Sequence, residues 1–61
     1  MNYYLIKYDI CGATFQHPNN YILIQASDYN DAVIMLEDKA NEEYGKCNVY
    51  HTNCTIINEE N

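Results

Sequence analysis

The spacing of apolar positions changes period twice along this chain. From Asn2 to Ile10 the sequence NYYLIKYDI is rich in β-branched and aromatic residues and predicts a strand. Successive strand side chains point to opposite faces. Tyr4, Ile6, Tyr8 and Ile10 therefore share one face, and Tyr3, Leu5, Lys7 and Asp9 the other. A second strand is predicted over Tyr21 to Ala26, YILIQA, with Ile22, Ile24 and Ala26 on one face and Tyr21, Leu23 and Gln25 on the other. Between the two, Cys11 to Asn20 holds Gly12, Pro18 and the pair Asn19-Asn20, all turn formers. This stretch predicts a loop and a wide hairpin, with Thr14-Phe15-Gln16 ambiguous and Phe15 folding back over the edge of the core.

The period then becomes helical. Asp28 suits an N-cap, with Asp31 at N3 in a capping-box-like position, and both acids suit the positive end of a helix dipole. Tyr29, Ala32, Val33, Leu36, Ala40 and Tyr44 form one stripe at helical spacing. Gly45 follows where a left-handed C-cap residue is expected. The helix would be roughly 25 Å long. The last segment, Lys46 to Ile57 or KCNVYHTNCTII, is β-rich but irregular. It predicts either one long strand with a bulge or two short strands turning at His51 to Asn53. A polar tail, Asn58 to Asn61, is expected to fray.

The order is thus β-β-α-β in one domain over residues 1–61. The expected fold is α+β: a three-stranded sheet, four-stranded if the last segment turns, with one helix on one face. A right-handed crossover from the second strand through the helix to the third places the first strand centrally, antiparallel to both neighbours. A chain of 61 residues supports only a thin core and a net stability of about 3–9 kcal/mol. Chains this short often add a disulfide, a metal or a second subunit.

Charge sharpens the picture. The net charge is −6, and six of the nine acids lie between Asp28 and Tyr44 beside one of the three lysines. Asp31, Asp38 and Glu42 align on the outward helix face, and Ile34 and Met35 sit among them, off the core stripe. A charged helix face is ordinarily a solvated one, but solvation has no use for Ile34. Carboxylates around an apolar anchor suit a partner with a basic surface. The expected partner-binding residues are therefore Asp31, Ile34, Met35, Asp38 and Glu42. With one helix, the second sheet face stays open and shows Tyr3, Leu5, Tyr21 and Leu23. These four are expected at a homodimer interface packed sheet to sheet.

Several functions are disfavoured. Arginine is absent and lysine occurs only at Lys7, Lys39 and Lys46, so direct nucleic-acid binding lacks its cations. No apolar run reaches bilayer length, and Tyr3 to Ile6 is too short for the core of a secretion signal. The expectation is a cytoplasmic protein with no membrane contact. Three cysteines, an odd number, argue against a secreted disulfide framework. Cys47, His51 and Cys54, with Cys11 and His17 elsewhere, offer zinc-ligand types without knuckle spacing. The simpler reading is small core cysteines and an exposed histidine, with no metal and no cofactor. A Cys–His nucleophile would lack an orienting motif, and the acids occupy a convex helix rather than a cleft. An enzyme is not expected.

Abundant Asn, Ile and Tyr, with no Arg or Trp, suggest an AT-rich coding genome. The strand MNYYLIKYDI, the turn Ala26-Ser27-Asp28-Tyr29-Asn30-Asp31-Ala32 and the run DKANEEYG together resemble, in style, small accessory proteins of phages and mobile elements, including anti-defence and host-takeover inhibitors. The resemblance implies a protein that binds and blocks a bacterial host factor, and no site residues carry over from it. The expectation is a non-enzymatic inhibitor or modulator. The alternative is a small structural or assembly protein, with or without a stabilising metal, that has no inhibitory role.

Overall fold

The computed structural model describes residues 2–58. Four elements follow in order: β1 (Asn2–Cys11), β2 (Gln16–Ala26), α1 (Tyr29–Tyr44) and β3 (Asn48–Asn58). The three strands form one sheet in the order β2-β1-β3, with β1 antiparallel to both neighbours. This is the expected α+β arrangement, with β1 in the centre. The last segment is one strand, so the four-stranded variant is excluded.

The helix begins and ends where its capping residues dictate. The Asp28 carboxylate accepts from the Asp31 backbone N–H at 2.8 Å, which satisfies a donor the first turn leaves without a partner. At the other end the Gly45 N–H donates to the Asn41 carbonyl at 2.8 Å. Gly45 has the expected positive φ of 76°, but its ψ of −151° takes it outside the left-handed helical region. That combination is open essentially to glycine alone, and it turns the chain away from the helix axis toward β3.

One side of the sheet holds the core. Tyr4, Ile6, Ile24, Ala26, Ala32 and Leu36 form a single buried cluster, flanked by the half-buried Tyr8, Ile22, Tyr29 and Val49. Ile6 and Leu36 are its largest fully buried side chains. Three of the buried positions, Ala26, Ala32 and Ala40, are alanines. Their small volume lets the helix approach the sheet closely, at the cost of apolar area.

Two bulges separate the observed strands from the expected ones. In the β1–β2 ladder Tyr8 pairs with Asn20 and Ile10 with His17, so Pro18 and Asn19 together oppose Asp9. Proline has no N–H to give, and β2 is an edge strand where that loss is tolerated. Asn19 takes a positive φ of 62°, and its N–H donates to Asp9 Oδ1 at 2.7 Å. Asn20 Nδ2 donates to the carbonyl of His17 at 2.6 Å and to that of Tyr8 at 3.3 Å. These side chains replace the ladder bonds that the bulge breaks. The expected loop over Cys11 to Asn20 is therefore corrected: β2 starts at Gln16, and the hairpin is a short connection over Gly12 to Phe15, closed by Gly12 N–H to Phe15 C=O at 2.9 Å.

In the β1–β3 ladder Leu5 pairs with Thr55 and Ile6 with Asn53, which leaves Cys54 as the extra residue. Opposed residues of an antiparallel pair share a face. The bulge therefore puts Val49 and Ile56, seven apart, both on the helix side, and Tyr50 and Ile57 both on the open side. This shift of parity explains the irregular pattern of the segment.

Shortening Leu36 to Ala should cost about 2–5 kcal/mol, a large part of a total of about 3–9 kcal/mol. Ile34→Ala, on the outward face, should stay within about 0.5 kcal/mol of wild type. Urea denaturation followed by circular dichroism checks both, and equal losses would mean the helix is rotated from the orientation described.

Candidate functional site

The outward face of α1 carries the first candidate surface. Asp31, Ile34, Met35, Asp38 and Glu42 are all exposed. Ile34 is 54% and Met35 49% accessible, high for apolar side chains on a helix whose other apolar residues are wholly or partly covered. With Ala26, Ser27 and Asp31 they line a shallow groove where the helix leaves the end of β2. The helix thus brings the predicted acids and anchors onto one face, with one difference in role. Asp31 takes part in the helix start: its carboxylate accepts from Ser27 Oγ while its backbone N–H is capped by Asp28. Asp38 and Glu42 are the acids that project beyond the cap. Asp38 also borders a second groove, toward β3, lined with Glu37, Asn41, Cys47 and Asn48.

The open face of the sheet is the second candidate surface. Tyr21 and Leu23 are exposed, and Tyr3 and Leu5, shielded by strands on both sides, are half-buried. The bulge at Cys54 adds Tyr50 and Ile57 to this face, both exposed. Sequence reading missed them because it had no parity for the last strand. The signal was present as two adjacent apolar pairs, Val49-Tyr50 and Ile56-Ile57, separated by an odd number of positions.

An aromatic cluster locks the hairpin to the helix. The rings of Phe15, His17 and Tyr44 lie 5.0–5.8 Å apart, centroid to centroid, in all three pairings. Phe15 folds back over Gly12, where a Cβ would run into its ring, and packs with His17 and Tyr44 rather than on the core cluster. His17 shares its face with Ile10 through the register and, though exposed, touches both other rings. At the opposite end of the helix, Tyr29 packs against Tyr4 and meets His51 Nδ1 with its hydroxyl at 2.9 Å.

The cysteines remain apart. All three are free thiols; Cys11 and Cys47 are half-buried, and Cys54 is exposed at the bulge. None is a core residue, which corrects the expectation of small core cysteines. Cys47 Sγ lies 3.8 Å from Asn41 Oδ1, and Cys54 Sγ 3.9 Å from the Thr52 carbonyl. With His51 on Tyr29 and no turn at His51 to Asn53, the chain does not fold these three together. Among the described residues no group of three or more His, Cys, Asp or Glu side chains is gathered as metal ligands. Nor is any described helix long and apolar enough to cross a membrane.

No protein-family model, curated protein or solved structure matches the chain.

Two tyrosines titrate abnormally. Burial, then the nearby charge of Tyr44 and Glu43, pushes the Tyr8 hydroxyl above the ordinary tyrosine range. Burial, then Cys54, does the same to Tyr29. The folded state holds these protons more tightly than the unfolded chain. Their contribution to stability is complete below the ordinary pKa of about 10 and is lost as pH rises through the elevated values. Tyr8→Phe should therefore flatten the fall in Tm as pH rises above about 10. Thermal melts across that range check it, and an unchanged slope would show that Tyr8 is not shielded by the helix.

Proposed function

We propose that this chain is a non-enzymatic protein-binding modulator that docks through the outer face of α1 onto a host protein with a basic surface. The observation that carries the reading is the pair Ile34 and Met35, exposed in a groove at the edge of an acidic helix face. Apolar side chains left in water cost free energy that a partner recovers on covering them. The acids supply what they cannot: a field that speeds encounter with a cationic surface and disfavours acidic ones. Asp38 and Glu42 do the steering, Ile34 and Met35 the anchoring, and Asp31 serves the helix start as well as the patch.

The resemblance of the sequence to phage and mobile-element accessory proteins directs the choice of target. It points to a bacterial host factor and to an anti-defence inhibitor acting in the cytoplasm. Such a target is commonly basic where it handles nucleic acid, and an acidic helix then competes for that surface by imitating phosphate.

Affinity capture from lysate of a low-GC bacterium tests the reading, with wild type beside Ile34→Asp and the double change Asp38→Lys, Glu42→Lys. A basic protein retained by wild type should bind about tenfold or more weakly to each variant, and its retention should fall as salt rises. Asp31 is left unchanged so that the helix cap survives. A partner that binds all three proteins equally would exclude the helix face and favour a structural or assembly role.

A further inference from the structure

The register assigns the open face row by row. Tyr3 lies between Gln25 and Ile57, Leu5 between Leu23 and Thr55, and Lys7 between Tyr21 and Thr52, with Asp9 opposite Tyr50. Tyr21 is 60%, Leu23 55%, Tyr50 61% and Ile57 50% exposed. Four large side chains half in water on one flat face exceed the single, scattered apolar residues of an ordinary surface. α1 packs on the other side of the sheet, and no described element covers this one.

Three properties identify the occupant. The first is charge. Among the described residues the face holds one cation, Lys7, and one anion, Asp9, while the helical acids sit on the far side of the sheet. The face itself adds no net charge between two copies, and a foreign partner would find no field there to steer it. The second is area. Three strands of up to 11 residues, at about 3.3 Å per residue and about 4.8 Å apart, make a face of roughly 500 Å², so two copies would bury about 1,000 Å² in all, at the lower end of what a specific interface takes. The third is core size. Among the described residues the one-sided core contains two large, fully buried side chains, Ile6 and Leu36, and a small domain gains most from a second layer.

We infer that the open face of the sheet is covered by the same face of a second copy. The two sheets stack about 10 Å apart, with strands offset by about 30°. Tyr3, Leu5, Tyr21, Leu23, Tyr50 and Ile57 then become the core of a six-stranded sandwich with one helix on each outer side. The tyrosine hydroxyls stay at the rim, where aromatic rings with a polar tip are favoured. The inference rests on the sheet and is independent of what the helix binds. It leaves both acidic helices facing outward, free for that role.

Sedimentation equilibrium at concentrations on the order of 100 μM tests it on the full chain of 7.1 kDa. Wild type should run as twice that mass. Leu23→Lys enters a two-fold interface twice, so at about tenfold per site it should raise the dissociation constant by about 100-fold. Tyr50→Lys, near the other end of the face, should do the same if Leu23→Lys compromises folding. Ile34→Asp should leave the dimer intact, and circular dichroism should show each variant folded. A wild type at the mass of one chain overturns the inference. So does a dimer that survives both lysine variants, or one that only Ile34→Asp dissolves.

Discussion

Leu36 and Ala32 pressing on Tyr4, Ile6 and Ile24 form the contact on which the remaining structure depends. One helix can cover one face of one sheet. Everything apolar on that side is shared between a few large residues and three alanines, so the layer is thin but close. β1 supplies most of the buried sheet residues because it is central and bonded on both edges. The capped ends of α1 and the ring cluster of Phe15, His17 and Tyr44 keep the helix in place over β1 and β2. Toward β3 the cover runs out, and every residue from Tyr50 to Ile57 is exposed.

The uncovered parts of the molecule follow from the same constraint. A single helix leaves its own outward face to water and the opposite sheet face to whatever else can cover it. The chain treats these two surfaces differently. The helix exterior concentrates charge of one sign around Ile34 and Met35, which suits an unlike partner. The sheet exterior is nearly neutral and broad, which suits a like one. A protein of this size therefore has room for one self-contact and one foreign contact on opposite sides of a single sheet.

Local signals were legible in the sequence wherever the responsible partners lie within a turn of one another. Asp28 as the cap, the Ala32–Leu36–Ala40 stripe and the positive φ of Gly45 all depend on neighbours a few residues away. The alternation along β1 was equally clear. The failures occur where a ladder partner decides the outcome. Pro18-Asn19-Asn20 has the composition of a loop, and bonds across the ladder, from Asn19 to the Asp9 carboxylate and from the Asn20 amide to the Tyr8 carbonyl, make it a bulged strand. The parity of the last strand was hidden because Cys54 is skipped, and with it the exposure of Tyr50 and Ile57. Of the candidate site, the outward positions of Ile34, Met35, Asp38 and Glu42 could be read from the helical period. The tie between Asp31 and Ser27 could not, since the acid's position alone does not show which donor it will choose.

Methyl NMR with an inert paramagnetic probe in solution tests the central claim most directly, because it reads all three surfaces in one sample. The account predicts strong broadening at the methyls of Ile34 and Met35. It predicts none at Ile6 and Leu36, and protection of Leu5, Leu23 and Ile57 that is lost on dilution. Broadening of Leu23 equal to that of Ile34 at every concentration, or of Leu36 at any, would contradict it.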